Sequence, residues 1–482
     1  HALILYHRML DDAFIPNGYT FVALLRVLGE LDDLEMSYRI HSEIDKKGLL
    51  GRDLYVGSNL VHMYAKRGLL VEALYVFESL PFQNTVVWNT LIGGYNRCEQ
   101  GDNALYYFKQ MQYPRNAISF VYGLKACGMT QSINVGKDIH VQIVRNGMLE
   151  KNCFLHSALI EMYVKCGSLA KAHGVFDNLV SRDLISWTAL ISGYILHDRC
   201  EEALQCLQVM ELEGVTPNST TFLCSLKACA NVEAIDNGMK FHEEIVRRGL
   251  IQGDSVMGNT LVDMYARCGL LAIALEVFDE LPSRDVISWN ALIAGFVNRG
   301  VAKEALNCFE EMHMEGVSPD SITCISGLKG CTNINSPSKG QEIHITIVKF
   351  GFLDRDVALE NALIDMYGKC DSLIEAREVF ENVQERDVVS WTTIMSAYSD
   401  QEESIETLIL FKRMQVEGIL PNAATFLCVL KACSDSGDTY KGSIMHAEII
   451  GSGLFQKDFV LGDALINMYS KLGELLKSKE VF

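Results

Sequence analysis

The chain has 482 residues, 49% of them hydrophobic and 21% charged, which excludes a disordered chain and leaves ample length for a large core. With only 8 Pro and an ordinary 37 Gly, collagen-like and low-complexity architectures are also excluded. Lys+Arg at 42 against Asp+Glu at 61 gives a net charge of −19, the wrong sign for a protein that holds nucleic acid by bulk charge. The 15 cysteines are odd in number and form no CxxC, so a reduced compartment is expected in place of a disulfide framework. No run of 18 apolar residues occurs, and neither a membrane span nor a membrane partner is expected.

In chain order, one ruler organises everything. Met-Tyr recurs at Met63-Tyr64, Met162-Tyr163, Met264-Tyr265, Met366-Tyr367 and Met468-Tyr469, at spacings of 99, 102, 102 and 102. The four tryptophans, Trp88, Trp187, Trp289 and Trp391, keep the same register. So do His41, His140, His242, His344 and His446, and Lys125, Lys227, Lys329 and Lys431, each two residues before a cysteine. Self-similarity at this scale marks a repeat architecture.

Each unit of 102 divides into sub-repeats of 35, 36 and 31 residues. A partial standard repeat (1–17) is followed by thirteen complete ones: 18–53, 54–84, 85–116, 117–152, 153–183, 184–218, 219–254, 255–285, 286–320, 321–356, 357–387, 388–422 and 423–458. A partial short repeat at 459–482 closes the chain, and the truncated repeats imply a longer parent protein. The repeat at 85–116 lacks three residues near Tyr113-Pro114-Arg115-Asn116, which predicts a shortened link after its second helix.

Every sub-repeat reads as two short amphipathic helices. In 357–387, Leu363, Ile364, Met366 and Tyr367 form one apolar stripe, and Ile374, Ala376, Val379 and Phe380 a second. Cys370-Asp371-Ser372 interrupts them, where sibling repeats carry Gly68, Gly167, Gly269 or Gly473, a helix-ending residue. Neither helix can bury its stripe alone, but stacked pairs bury both. The predicted fold is all-α, a right-handed α-solenoid superhelix of helix-turn-helix repeats forming a single array over 1–482.

No catalytic constellation is present. His41, His242 and His446 stand in H-x-E triplets, part of the zinc deaminase signature, but the P-C-x-x-C that must accompany them is missing. Histidines that recur once per three repeats stand too far apart to share a metal. They are expected in second helices, packed between repeats. Cys127, Cys229, Cys331 and Cys433 are expected as small buried groups, and the tryptophans as repeat core. The chain therefore reads as a non-enzyme with no cofactor and no metal site.

The alternation of 35, 36 and 31 residues, with Trp-Asn/Thr, Leu-Lys-Ala-Cys and Met-Tyr-x-Lys-Cys-Gly signatures, resembles plant pentatricopeptide repeat proteins. It is most similar to the PLS subclass, in which long, short and standard repeats alternate in triplets. The resemblance covers the whole chain and implies single-stranded RNA as partner, with two or three side chains reading one base per repeat.

In standard and short repeats the fifth and last residues vary among Asn, Ser, Thr and Asp. Small amides and hydroxyls near a helix start can face a base edge, although the same residues are favoured helix caps. The family's pairing rule implies A for Ser58 with Asn84, and a pyrimidine, C more than U, for Asn89 with Asn116. It implies G for Ser157 with Asp183 and A for Thr188 with Asn218. Asn259 with Asp285, Asn290 with Asp320, and Asn361 with Asp387 each imply U, and Thr392 with Asn422 implies A. Long repeats carry Val22, Val121, Leu223, Ile325 and Leu427 at the fifth position, which cannot hydrogen-bond and leave their bases open. The implied target is N-A-Y-N-G-A-N-U-U-N-U-A-N, 5′ to 3′. The second residues, Tyr55, Val86, Phe154, Ile185, Val256, Ile287, Ala358 and Val389, are expected to flank the bases.

Position 13 of every short repeat is basic: Lys66, Lys165, Arg267, Lys369 and Lys471. These residues are candidate contacts to the RNA backbone, or cations placed favourably at helix ends. The resemblance further implies C-to-U RNA editing or related processing in a mitochondrion or chloroplast. Editing-complex proteins, or a deaminase domain outside this chain, would then be partners. The alternative is a protein-binding helical-repeat scaffold, which would carry varied chemistry where this chain repeats Asn, Ser, Thr and Asp.

Overall fold

The computed structural model describes residues 2–12, 14–31, 33–149, 152–179, 181–251, 255–353, 356–455 and 459–481. These residues form 29 α-helices and, among them, no strand. The predicted ends of the long repeats at 254 and 458 lie outside the described residues. The chain divides into two compact units, His1–Val232 and Glu233–Phe482.

Within each unit the helices pair as the period requires. In the second unit, for example, Ser255–Arg267 pairs with Leu271–Asp279, Val286–Asn298 with Ala302–Met314, and Ser321–Asn333 with Pro337–Phe350. Inside each unit, first helices of consecutive repeats also pack on one another, as Val286–Asn298 does on Ser255–Arg267 and Ser321–Asn333. The turn inside the short repeat at 255–285 is made by Gly269, at φ +81, in the left-handed region that glycine enters without steric cost. Asp371 takes the same conformation, at φ +59, where its repeat lacks the glycine; Asp is among the few side chains that tolerate it.

The regular spacing of aromatic residues is a packing device. Trp187 meets Phe176 edge to face with ring centroids 4.4 Å apart, and Trp289–Phe278 and Trp391–Phe380 repeat the contact at 4.6 and 4.8 Å. These three indoles are buried, as expected of repeat core, while Trp88 is half-buried. Cys127, Cys229, Cys331 and Cys433 are fully buried. The histidines lie in second helices and join repeats: Nδ1 of His41, His140, His242, His344 and His446 sits 2.9–3.0 Å from the hydroxyl of Tyr64, Tyr163, Tyr265, Tyr367 and Tyr469.

Consecutive first helices approach closely through small residues. A Cβ placed on Gly295 would stand 2.4 Å from Cβ of Ala266, and one on Gly94 2.7 Å from that of Ala65. At the equivalent contact the order reverses, with Gly368 against Ala397 at 2.4 Å.

Two expectations are corrected. The stripe drawn through Ile374 is wrong there: Ala376 and Phe380 are buried, but Ile374 is 75% exposed. Two residues of helix turn it about 200° away from Ala376, to the outer side. The deletion in 85–116 falls in the helix and not in the link. Gly101–Gln110 has 10 residues where Cys200–Leu212, Ala302–Met314 and Ser404–Val416 each have 13. The six-residue link is kept, closed by Arg115 donating to the carbonyl of Phe108 and by Asn116 capping the next helix.

Candidate RNA interface

The last residue of each standard and short repeat sits at the start of the next first helix. There its side-chain oxygen accepts backbone N–H groups that the helix cannot satisfy itself. Asn84 accepts from Val87 at 3.0 Å, Asn116 from Ser119 at 3.0 Å, Asp183 from Ser186 at 2.8 Å and Asn218 from Thr221 at 2.9 Å. In the second unit Asp285, Asp320, Asp387 and Asn422 do the same with Ser288, Thr323, Ser390 and Thr425, at 2.8–2.9 Å. All eight residues are therefore caps. Capping uses Oδ1, but that oxygen can accept a further bond, and an aspartate has Oδ2 as well, so each cap can still take another partner.

That partner is the fifth residue. Nδ2 of Asn89 donates to Oδ1 of Asn116 at 3.1 Å. Asn259 donates to both carboxylate oxygens of Asp285, at 3.0 and 3.2 Å, and Asn290 to both of Asp320 at the same distances. Asn361 lies within hydrogen-bonding reach of Asp387 and favours its anion. Burial pushes the Asp320 and Asp387 carboxyls up, but the bonds from the cap backbone, the neighbouring hydroxyl and the asparagine outweigh it. Both carboxyls are held below their ordinary range, so both are anionic acceptors at neutral pH. The Oδ1 atoms of Asn89, Asn259 and Asn361 are buried and have no hydrogen-bond partner among the described residues.

Hydroxyl pairs meet by relay. Thr188 Oγ1 lies 3.0 Å from Thr221 Oγ1, which donates to Asn218 at 2.8 Å. Thr392, Thr425 and Asn422 repeat this at 2.9 and 2.9 Å. Ser157 reaches Ser186 at 3.4 Å, and Ser186 donates to Asp183 at 2.6 Å. Ser58 has no such link to Asn84, because the relay position holds Val87; its hydroxyl donates to the carbonyl of Tyr55 at 3.0 Å. The third residue of the following repeat is thus part of the arrangement, and the sequence reading missed it. Its signal was present as Asn/Asp-x-x-Ser/Thr at the repeat junctions.

The second residues project from the same helix starts. Tyr55, Val86, Phe154, Ile185, Val256, Ile287 and Val389 are 48–64% exposed, and Ala358 is exposed beside them. Long repeats extend the row with exposed Tyr19, Ile118 and Ile322, which the sequence reading left without a role.

The basic residues end their first helices, and each meets an acid. Lys66 pairs with Glu30, Lys165 with Glu161 (2.7 Å), Arg267 with Asp263 (3.0 Å), Lys369 with Asp365 (2.9 Å) and Lys471 with Asp435 (3.4 Å). Exposed pairs of this kind contribute only about 0–1 kcal/mol, so a phosphate can displace the acid at small cost. Among the described residues, no helix is long and apolar enough to cross a membrane.

Comparison with known proteins shows the fold and the family of the chain. The crystal structure of the pentatricopeptide repeat protein PPR10 from maize superposes with a TM-score of 0.63 at 17% identity, covering 99% of this chain and 75% of that one. PPR10 in complex with an 18-nt psaJ RNA element gives 0.61 at 16%, covering 98% and 75%. At such identities these structures show a shared solenoid fold. Among curated proteins, a chloroplastic pentatricopeptide repeat-containing protein of Arabidopsis thaliana is 35% identical over 439 residues, 90% of this chain and 54% of its own length. A mitochondrial one is 32% identical over 95% of this chain and 66% of its own length. A third is 30% identical over 100% of this chain and 70% of its own length. The chain thus spans from about half to about two thirds of these relatives. The PPR repeat family model matches 182–231, 284–333 and 386–435. The PPR repeat model matches 58–81, 86–113, 154–184, 259–286 and 361–388. The chain belongs to the pentatricopeptide repeat family.

Proposed function

We propose that this chain binds single-stranded RNA sequence-specifically, one base per repeat, as a single array of the PLS kind. The observation that carries this reading is the coupling of each fifth-residue asparagine to the last residue of its repeat. It leaves buried, partnerless acceptors on Asn89, Asn259 and Asn361. An unpaired buried oxygen costs about 1–3 kcal/mol, which a base N–H recovers on binding. The exposed apolar second residues provide the walls between which a base can stack, and the ion-paired row at position 13 provides exchangeable phosphate contacts. That PPR10 was crystallised with RNA on the same fold adds support. Chloroplastic and mitochondrial relatives support an organellar location. Selecting sites for C-to-U editing or related RNA processing, with editing-complex proteins or a deaminase domain outside this chain as partners, extends the same reading.

The test is a re-specification. Asn422→Asp turns an amide into an acceptor-only carboxylate while keeping the cap to Thr425. The base opposite the Thr392 repeat then changes from A to G, whose Watson–Crick edge offers two donors. A wrong base costs about 1–3 kcal/mol, so the preference shifts about ten-fold or more at that position alone. A variant that still prefers A, or weakens equally for all four bases, refutes base reading there.

A further inference from the structure

One row of cations has no part in base reading. The ninth residue of every long repeat is basic: Arg26, Lys125, Lys227, Lys329 and Lys431. All five are exposed. No standard or short repeat carries Lys or Arg at this position; standard repeats hold small residues there, such as Ser192 and Ser396, and short ones acids, such as Glu161 and Asp365. The long repeats are also the ones whose fifth residue is apolar and offers a base no hydrogen bond.

The fold puts these cations on the face that carries the second and fifth residues. At about 100° per residue, the ninth residue lies two turns beyond the second and within about 20° of the same face. In Ser321–Asn333 that face shows exposed Ile322 and Lys329, while Cys324, Leu328 and Cys331 are buried. Arg26 fixes the placement by contact. Its guanidinium donates to the Tyr55 hydroxyl at 3.1 Å, and Tyr55 is the exposed second residue of the next repeat.

Neither the helices nor the neighbouring side chains account for the row. A helix favours a cation in its last turn, but the four lysines stand before the last turn of theirs. Lys329 donates to Asn298 and Lys431 to Asp400, each at 2.9 Å, and both partners are the thirteenth residue of the preceding standard repeat. Before Lys125 and Lys227 that position holds Arg97 and Leu196. Among the described residues, neither Lys125 nor Lys227 has a hydrogen-bond or ion-pair partner. The lysine is thus kept whether its neighbour is an acid, an amide, an alkyl chain or another cation. The cations at position 13 of the short repeats, by contrast, each have an acid beside them. A phosphodiester can pair with Lys125 or Lys227 without displacing a carboxylate.

The geometry points to a separate task for the long repeats: the cation at their ninth position contacts a phosphate of the RNA, so these repeats hold the strand by its backbone where their fifth residue cannot hold a base. This inference rests on the RNA-binding reading proposed above, and it gives the unread nucleotides a sequence-independent anchor.

The test is titration of the full chain with single-stranded RNA of the implied target over a range of salt concentrations. Lys125→Gln and Lys227→Gln remove the charge and keep the helix, since Lys and Gln have nearly equal helix propensity. Each is expected to flatten the slope of log affinity against log salt by about 0.7, and the double variant by about 1.4. The loss of affinity is the same whichever base stands opposite 117–152 or 219–254, and the helical circular dichroism spectrum is unchanged. Lys303→Gln, at an exposed lysine of the second helix Ala302–Met314, leaves the slope as it was. An unchanged slope in the double variant, with the parent still choosing its target over an unrelated RNA, overturns the phosphate contact alone. A loss that depends on the base at those positions overturns it too, because the lysines would then read bases. A parent that binds no single-stranded RNA overturns this inference together with the reading it rests on.

Discussion

Asn290 donates to both carboxylate oxygens of Asp320, at 3.0 and 3.2 Å, across thirty residues of chain, while the same carboxylate caps the helix Ser321–Asn333 through Thr323. One side chain thus ends a repeat, starts the next and orients the amide predicted to read a base. Capping and base reading are not rival assignments. The cap immobilises the last residue, and the immobilised residue fixes the fifth.

The first prediction separates these two roles. Asp320→Asn keeps a good cap, since Asn and Asp serve about equally, so thermal stability changes by less than about 0.5 kcal/mol. It makes the pair Asn/Asn, as at Asn89 and Asn116, and the preferred base moves from U toward C. Asp320→Ala removes both roles, costing about 1 kcal/mol of stability and the base preference together. Melting curves and titrations with RNAs differing at that one base check both. A loss of stability in Asp320→Asn without a change in base preference would leave only the cap.

The second prediction concerns the apolar row. Phe154 is exposed beside Ser157, and stacking of a base on an aromatic side chain contributes about 1–3 kcal/mol. Phe154→Ala should weaken RNA binding five-fold or more without altering which base is preferred there. Ala358→Val, which restores the bulk present in other repeats, should tighten binding. Affinities measured on matched and mismatched RNAs decide it: a Phe154→Ala variant that binds as tightly as the parent removes the stacking role.

The third prediction is a pH dependence. Burial lowers the pKa of His41, His140, His242, His344 and His446 below the ordinary value near 6.5. The unfolded chain then binds more protons than the folded one below about pH 6.5. Stability from these sites is fully present above that pH and is lost as pH falls toward the folded-state values. The melting temperature should drop between pH 7.5 and 5.5. Tyr265→Phe, which takes the partner from His242, should cost about 1 kcal/mol at pH 7.5. A melting temperature flat across this range would show that the histidines titrate as in the unfolded chain.

Much of this was legible in the sequence because repeats sample the same contact several times. Trp187, Trp289 and Trp391 sit at one position, and so do the phenylalanines they meet; large apolar side chains that return every 102 residues mark a recurring buried position. Asn259 and Asp285 were legible as a pair because both vary within a small polar set. What escaped were features whose meaning lies between repeats. Thr221 and Thr425 look like ordinary residues of long repeats until their hydroxyls are seen to bridge the pair behind them. The shortened helix Gly101–Gln110 was read as a shortened link, since polar residues flank both and only backbone hydrogen bonds tell them apart. The contact of Gly295 with Ala266 was hidden because glycine changes sides at Gly368 and Ala397, so neither position alone keeps the period.

That exchange of sides yields the last prediction. A glycine inside a helix usually costs about 1 kcal/mol relative to alanine, so Gly295→Ala should stabilise Val286–Asn298 if nothing stood nearby. Here the new methyl would lie 2.4 Å from Cβ of Ala266 and 3.4 Å from its Cα, in a contact whose other side is backbone. Neither atom can rotate away, so the two helices must separate, and overpacking of this kind costs about 1–3 kcal/mol. Gly295→Ala alone should therefore destabilise. Ala266→Gly alone should also destabilise, by about 1 kcal/mol, through backbone entropy and a lost contact. The double variant Ala266→Gly with Gly295→Ala reproduces the order found at Gly368 and Ala397, and should recover most of the parent stability. Chemical denaturation of the four proteins gives the coupling directly, and neighbours in contact show about 0.5–3 kcal/mol. If the two single effects simply add, the helices tolerate the extra methyl, and the close approach is not what fixes their spacing.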